Sequence, residues 1–213
     1  MRVLIVYASS GAGHRRAAEA IYDYLRDNHS DLGLKIIDVL DKTNALFRFD
    51  YTFGYSFLVK YAVALWRFAF WLTEFKLFRF LSSPIATFVN NINSISFIRY
   101  LIRKKPDVII STHFLPADIA ALLKRNNKIN SKLITVITDF GVHPYWIAEG
   151  TDLYVVASDF TKERLLKEGV NPKRIKVFGL PFHPKFLGQF DRKALARKIG
   201  IDPGKFTVLL MTG

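Results

Sequence analysis

The feature that most constrains the fold is an apolar run, Arg2–Tyr7, followed directly by a glycine turn and a helical segment. A short aliphatic run that ends near glycine is typical of a buried strand. Gly11 and Gly13 form the turn, and a helix is predicted over 13–28, which places His14 at the helix N-terminus. Free backbone N–H groups there suit an anion or a developing oxyanion, and a histidine exchanges protons near neutral pH. The segment therefore predicts a functional edge of an α/β sheet.

Apolar runs alternate with helical segments along much of the remaining chain. Val108–Ile110 and Leu133–Ile137 are almost entirely apolar, as expected for parallel strands that helices cover on both faces. Further strands are predicted at 34–40, 153–157 and 174–178. This alternation predicts an α/β fold with a doubly wound, mostly parallel, Rossmann-like sheet.

The alternation stops at about 43–105, where an aromatic-rich helical insertion is predicted. Eleven of the 19 phenylalanines lie between Phe47 and Phe97. Basic residues interrupt the segment before any stretch reaches the roughly 18 uncharged apolar residues that span a bilayer. Aromatic rings with interspersed Lys and Arg are typical of an interfacial element, so we expect the insertion to lie on a membrane and partly to pack on the sheet. The residues expected to contact lipid are Phe57, Lys60, Trp66, Arg67 and Trp71.

The formal net charge of +13 implies an anionic partner. The clustered aromatic residues favour an anionic membrane surface over nucleic acid, because base-stacking platforms need only a few exposed rings on a sheet face. No nucleic-acid-binding signature occurs in the sequence, so no nucleic-acid partner is predicted. The chain has no cysteine, which excludes disulfides, thiolate chemistry and Cys-ligated zinc and fits a reducing compartment.

Four of the five histidines follow predicted strands, at the carboxyl edge where open α/β sheets bind ligands. These histidines are His14, His113, His143 and His183, and Asp139 shares a loop with His143. Because four histidines follow strands at the same edge of the sheet, we expect their side chains to converge on one cleft.

Three kinds of site compete for this edge. No metal site is predicted, because no short metal-ligand spacing occurs. A dinucleotide site is disfavoured, because Arg16 stands where the glycine fingerprint needs its third glycine, and a P-loop is absent. The third possibility is a transferase cleft in which His14 deprotonates an acceptor hydroxyl and Asp139 supports it.

Three short motifs, in series along the chain, make the sequence characteristic of one protein family. They are Ser9–His14, Thr138–Trp146 and Gly179–Pro184. In this order, with the aromatic insertion between the first two, they resemble the N-terminal domain of the monogalactosyldiacylglycerol synthase family, which includes bacterial processive diacylglycerol glucosyltransferases. The resemblance implies a GT-B fold, in which an N-terminal domain takes the lipid acceptor and a C-terminal domain takes the nucleotide sugar.

The resemblance also implies roles for individual residues. His14 matches the general base, and His14 and Asp139 are the predicted catalytic residues. The residues predicted to line the acceptor cleft are Gly11, Gly13, His113, His143, Trp146 and Pro181.

The implied reaction is transfer of a hexose from a UDP-sugar to the sn-3 hydroxyl of diacylglycerol, with inversion, at the cytoplasmic face of a membrane to which the protein binds peripherally. No cofactor is expected to bind this chain, and UDP-glucose or UDP-galactose is the expected donor in a complete enzyme. Residues 1–200 are predicted to form the acceptor-binding domain. Residues 201–213 are predicted to be a linker and the first strand, over 206–211, of a truncated C-terminal donor domain, without which the chain is expected to be inactive.

Two other functions remain open from the sequence. One is a non-catalytic peripheral membrane module that binds lipid through the same surface. The other is a glycosyltransferase that acts on a polyprenyl-linked peptidoglycan precursor.

Overall fold

The computed structural model describes residues 1–73 and 75–210. Six side chains within these ranges lie outside the description: Tyr55, Ser56, Val59, Trp66, Phe70 and Lys76. The predicted lipid contact of Trp66 therefore falls outside the described residues. The chain divides into two compact units, Met1–His183 and Pro184–Gly213.

The first unit is built on a six-stranded sheet in which every neighbouring pair is parallel. The strands are β1 (Arg2–Tyr7), β2 (Gly33–Asp38), β3 (Val108–Ser111), β4 (Lys132–Val136), β5 (Leu153–Val156) and β6 (Ile175–Val177). Their order across the sheet is β2-β1-β3-β4-β5-β6. The predicted parallel, Rossmann-like α/β fold is confirmed.

Helices connect the strands and cover the sheet. In the first unit they are α1 (Ala12–Asn28), α2 (Ala45–Phe49), α3 (Tyr55–Tyr61), α4 (Val63–Leu72), α5 (Lys76–Asn93), α6 (Ile95–Lys104), α7 (Phe114–Arg125) and α8 (Asp159–Lys167). A π-helical turn, Asp50–Gly54, joins α2 to α3.

The side chains of β1 show how the sheet is covered on both faces. Successive side chains of a strand point to opposite faces. Val3 and Ile5 pack with Ala18 of α1 on one face. Leu4 and Val6 belong to a core on the other face that includes residues of α6 and α7. This double covering explains why the strand is apolar at consecutive positions.

The predicted insertion is helical over most of its length, from α2 to α6. Its last helix, α6, returns to the sheet and buries Phe97 and Leu101 in the core. In contrast, many large apolar side chains of α3, α4 and α5 are exposed. Within the part of the chain that the structure describes, no helix is both long and apolar enough to cross a membrane.

The second unit contains a 3₁₀ turn, Pro184–Leu187, and α9 (Arg192–Lys198). The strand predicted at 206–211 is wrong over its described part, because residues 206–210 have no regular secondary structure. An apolar run forms a strand only where a neighbouring strand supplies hydrogen-bond partners. The first compact unit ends at His183, and an acceptor-binding domain over residues 1–200 remains a prediction.

Candidate functional site

The loops that follow β1, β3 and β4 meet at the carboxyl edge of the sheet. β1 connects to β2 on one side, whereas its other neighbour, β3, connects to β4 on the opposite side, so the direction of the chain connections reverses between β1 and β3. Crevices at such reversal points are the usual ligand sites of open α/β sheets. A cavity of about 440 Å³ lies here, lined among others by His14, His113, Asp139, His143 and Trp146.

His14 stands in the first turn of α1 with one ring nitrogen fixed by hydrogen bonds. Its Nδ1 lies 3.0 Å from the carbonyl oxygen of Thr112 and 2.7 Å from Oγ1 of Thr138. A carbonyl oxygen only accepts, so Nδ1 carries the proton and Nε2 keeps the basic lone pair. Burial lowers the pKa of His14, while the Asp139 carboxylate and the hydrogen bond to Thr112 oppose that shift. A neutral, oriented imidazole of this kind can act as a general base.

Asp139 is held by the indole of Trp146. The Nε1 group of this fully buried tryptophan donates to Oδ2 of Asp139 over 2.8 Å. The ring of Trp146 also lies against His14, with centroids 5.9 Å apart. The Asp139 carboxylate raises the pKa of His14, which means that it stabilises the imidazolium form. It can therefore support His14 at the moment when that residue gains a proton.

His113 is buried and has a fixed tautomer. Its Nδ1 accepts from the backbone N–H of Leu115, so Nε2 carries the proton and donates to Oγ of Ser10 over 3.1 Å. The ring packs edge-on against His14 at a centroid distance of 4.6 Å. The Ser10 hydroxyl, which also lines the cavity, is thereby left with its own proton to donate to a ligand.

His143 connects the β4 loop to the helical insertion. Its Nδ1 accepts from the backbone N–H of Tyr145, and its Nε2 lies 2.8 Å from Oγ1 of Thr73. Thr73 follows α4, so this hydrogen bond ties the insertion to the loop that carries Asp139. His143 therefore has a structural role at the cavity wall.

The insertion forms another wall of the same cavity, which the sequence pattern did not indicate. Asp50, Tyr51, Gly54 and Leu58 line it. The ring of Tyr51 lies 5.9 Å from that of His113, and burial raises the pKa of its hydroxyl. Thr112, Thr138 and Ser10 were also missed as functional residues, although Ser10 and Thr138 lie within the quoted motifs and Thr112 directly precedes His113.

Other predicted cleft residues lie outside this cavity. Among the described residues, Gly11 lines a neighbouring groove with Arg15 and Arg16, while Gly13 and Pro181 are absent from the lining of the His14 cavity. The convergence of four histidines is wrong for His183, whose Nε2 instead lies 3.2 Å from Asp23 of α1. The β6 loop that carries it therefore runs back against α1.

The backbone conformation does not require glycine at either turn position. Gly11 is extended, with φ of −179°, and Gly13 is not among the described residues with positive φ. A Cβ at Gly13 would meet nothing within 4 Å. The missing side chains leave the start of α1 open to an approaching ligand.

The predicted membrane-contacting residues are exposed wherever their side chains are described. Phe57 is 59% exposed and Trp71 is 53% exposed. Lys60 and Arg67 are exposed as well. These apolar rings are therefore available for a contact outside the fold.

The burial of His113 predicts that the protein loses stability in acid. Burial and the nearby His14 hold the pKa of His113 well below 6.5, so the folded state leaves it neutral where the unfolded chain takes up a proton. The free energy of unfolding therefore does not depend on His113 above about pH 6.5. It decreases as the pH falls towards the lowered pKa, by at most about 1.4 kcal/mol per pH unit. Urea unfolding between about pH 7.5 and 5 measures the slope.

The matched variants for that measurement are His113→Asn and His29→Asn. His29 is exposed, so its replacement should keep the wild-type pH dependence. His113→Asn should make the slope shallower and leave the part that the lowered pKa of His14 contributes. An unchanged slope in this variant would show that His113 is not a source.

Comparison with known proteins gives the following matches. The family described as monogalactosyldiacylglycerol (MGDG) synthase matches residues 14–182. A probable monogalactosyldiacylglycerol synthase 2, chloroplastic, from Oryza sativa subsp. indica is 31% identical over 219 residues, covering 99% of this chain and 45% of the relative. A processive diacylglycerol beta-glucosyltransferase from Staphylococcus aureus (strain JH9) is 28% identical over 221 residues, covering 100% and 52%.

Among solved structures, the apo form of the lipopolysaccharide outer core galactosyltransferase WaaB is 15% identical, with a TM-score of 0.46, and the match covers 83% of this chain and 45% of that one. The chain spans about half the length of the curated relatives it matches.

Proposed function

This chain belongs to the monogalactosyldiacylglycerol synthase family, and from that premise we propose that it is the acceptor-binding half of a membrane-associated glycosyltransferase. The reaction is transfer of a hexose from a UDP-sugar to the sn-3 hydroxyl of diacylglycerol, with inversion. Diacylglycerol is named in both relatives above. The observation that carries the proposal is His14, a half-buried imidazole with a fixed tautomer that lines a cavity walled by the insertion.

In the proposed mechanism, His14 Nε2 removes the proton of the acceptor hydroxyl as that oxygen attacks the anomeric carbon. The bond between the anomeric carbon and the UDP oxygen breaks, UDP leaves with the bonding pair, and the proton stays on His14. Asp139 stabilises the imidazolium that forms. A positioned base of this kind contributes about 10²–10⁴-fold to the rate.

The acceptor is proposed to reach His14 along the insertion. The cavity combines polar groups of the β1, β3 and β4 loops with Tyr51, Leu58 and Phe114. Such a lining suits a glycerol hydroxyl with the first carbons of acyl chains attached, because a few polar groups orient a mostly apolar ligand. The exposed rings of α3 and α4 then bind the cytoplasmic face of an anionic membrane, where each nearby Lys or Arg contributes about 1 kcal/mol.

The donor sugar is proposed to bind a C-terminal half that lies beyond these 213 residues, as the length of the relatives suggests. UDP-glucose or UDP-galactose would be bound there, and transfer requires both halves. The acceptor half is proposed to need no cofactor of its own.

Flotation of the 213-residue chain with liposomes tests this proposal. We expect binding to phosphatidylcholine vesicles to rise when anionic lipid is added and to rise again when diacylglycerol is added. The matched control lipid is a diacylglycerol whose sn-3 hydroxyl is methylated, which should give less binding than the free alcohol. Absence of binding to every composition would argue against an acceptor half that works on a membrane.

A further inference from the structure

Tyr51 carries a hydroxyl group that the fold leaves without a hydrogen-bond partner. The residue lines the His14 cavity, and among the described residues no group donates to this hydroxyl or accepts from it. Burial alone raises its pKa, with no hydrogen bond or charge contributing. Its oxygen is not one of the unpartnered side-chain atoms, in the described part of the chain, that water cannot reach. A ligand in the cavity can therefore bond to it, and a hydroxyl removed from bulk water gains from such a bond.

The ring of Tyr51 is held in place at the root of the insertion. It belongs to the π-helical turn Asp50–Gly54 and packs on the main core of the sheet. Phe47, one turn earlier in α2, lies against it with ring centroids 5.3 Å apart. The side chain of Asn44 caps α2 by accepting from the backbone N–H of Phe47 over 2.8 Å, and its backbone N–H donates to the carbonyl oxygen of Asn93 in α5 over 3.1 Å. The hydroxyl thus has a fixed position, which lowers the entropic cost of binding.

A second hydroxyl donor lies beside Tyr51 at the same cavity. Both residues contact His113, whose Nε2 donates to Oγ of Ser10 over 3.1 Å and whose ring centroid lies 5.9 Å from that of Tyr51. Ser10 keeps its own proton for a ligand, as Tyr51 does, and both line the cavity. Tyr145, the other tyrosine of the lining, is exposed, so water can satisfy its hydroxyl. The cavity therefore holds two O–H donors, grouped around His113, that lack acceptors.

The charged groups of the lining favour a neutral ligand. Among the described residues that line the cavity, Asp50 and Asp139 are acidic and none is Lys or Arg. His14 and His113 both have lowered pKa values, which favour their neutral forms near pH 7. A phosphate or diphosphate would therefore meet negative charge without a cation to balance it. A carbonyl oxygen is neutral and only accepts, so it is the kind of group that the two O–H donors suit.

We propose that Tyr51 determines the acceptor specificity of this cavity by donating its O–H to an ester carbonyl of diacylglycerol, while Ser10 donates to the second ester. The assignment rests on the proposed function, which supplies the acceptor. Diacylglycerol has one hydroxyl, which goes to His14, and two ester carbonyls, which only accept. A dialkylglycerol keeps the hydroxyl and the chains but has no carbonyl. It would leave both donors unpaired, and a site built around hydrogen bonds rejects an analogue that lacks them.

Binding of two short, soluble lipids to the 213-residue chain tests this assignment. The probes are dihexanoylglycerol with a free sn-3 hydroxyl and the corresponding dihexyl ether, each titrated below the concentration at which it forms micelles. Ligand-observed NMR measures the two affinities. We expect the chain to bind the diester about tenfold more tightly than the diether. Apolar contacts alone would give the opposite order, because the diether is the more apolar ligand.

Tyr51→Phe isolates the contribution of the hydroxyl, because it keeps the ring in contact with Phe47 and His113. This variant should bind the diester about three- to tenfold more weakly than the wild type, and it should bind the diether at least as tightly. Tyr24→Phe makes the same change at an exposed residue of α1 and should keep the wild-type preference for the diester. If circular dichroism shows that Tyr51→Phe is unfolded, Ser10→Ala is read by the same criteria.

The outcomes separate failure of this assignment from failure of the proposed function. A preference for the diester that depends on Tyr51 supports the assignment. Equal binding of the two lipids by the wild type, an unchanged preference in Tyr51→Phe, or an equal loss of both lipids in this variant would overturn it. Each of these results leaves the proposed function standing, because the wild-type chain still binds the acceptor. Absence of binding for both lipids would reject the proposed function together with the assignment.

Discussion

Replacing His14 by alanine is expected to lower the turnover number of a protein that contains both halves by about 10²–10⁴-fold. The physical reason is the loss of the nitrogen that takes the acceptor proton, while the rest of the cavity keeps its shape. His14 is anchored through Nδ1 to Thr112 and Thr138, so alanine removes a side chain and leaves the strands and the insertion in place. Transfer of labelled hexose to diacylglycerol in vesicles measures the effect.

The controls for this experiment separate chemistry from folding and from membrane binding. His29→Ala makes the same change at an exposed histidine near the end of α1, and it should transfer at the wild-type rate. His14→Ala should still float with liposomes. Undiminished turnover in His14→Ala would remove this residue from the role of base.

The pH profile gives a signature that a structural role for His14 would not produce. The pKa of His14 is lowered from 6.5, so the rate should be constant near neutral pH and should fall on acidification below about pH 6.5 as the imidazole takes up a proton. Asp139 raises that pKa. Asp139→Asn should therefore shift the acid limb to lower pH and also reduce the turnover number, because the imidazolium formed in the transition state loses its carboxylate.

The elements that the sequence predicts well are those that local pattern alone determines. β1 was predicted at Arg2–Tyr7 and has those bounds, and the end of α1 at Asn28 was also predicted. In a strand that helices cover on both faces, nearly every side chain is buried and apolar. The first and last residues of the apolar run therefore indicate where the strand begins and ends. The carboxyl edge follows from this, because parallel strands end on the same side.

The hydrogen bonds that give His14 its chemistry were not predictable in the same way. Thr138 lies 124 residues from His14 along the chain, and only the pairing of β1, β3 and β4 brings the two together. A motif can place a histidine at an edge, but the tautomer depends on which carbonyl happens to face Nδ1. The same reasoning explains His183, whose strand edge was predicted and whose partner, Asp23, was not.

The insertion was predicted to be helical, but its place in the site was not. Aromatic residues occur on many faces of its predicted helices, so periodicity does not indicate which rings pack in the core of the protein. In the structure, Phe97 of α6 is fully buried in the sheet core, Tyr51 lines the His14 cavity, and Phe57 of α3 is exposed. Tertiary contacts sort these rings into three different roles.

Replacing Phe57 and Trp71 together by serine is expected to weaken membrane binding by about 2 to 4 kcal/mol, or about 30- to 1,000-fold in the partition coefficient. Both rings project from the insertion and are more than half exposed, so in the proposed orientation their apolar area is buried only when lipid is present. The same exposure means that the folded protein gains little from them. The double variant should therefore keep the wild-type circular dichroism spectrum and thermal unfolding.

Flotation with vesicles of fixed anionic lipid content measures this loss. Tyr24→Ser is the matched control, because Tyr24 is also about half exposed. It lies near the end of α1, at the opposite edge of the sheet from the start of the insertion, which follows β2. It should float like the wild type. If the double variant unfolds, these rings belong to the core. If it floats unchanged, the membrane surface lies elsewhere on the chain, and the route of the acceptor to His14 along the insertion would have to be abandoned.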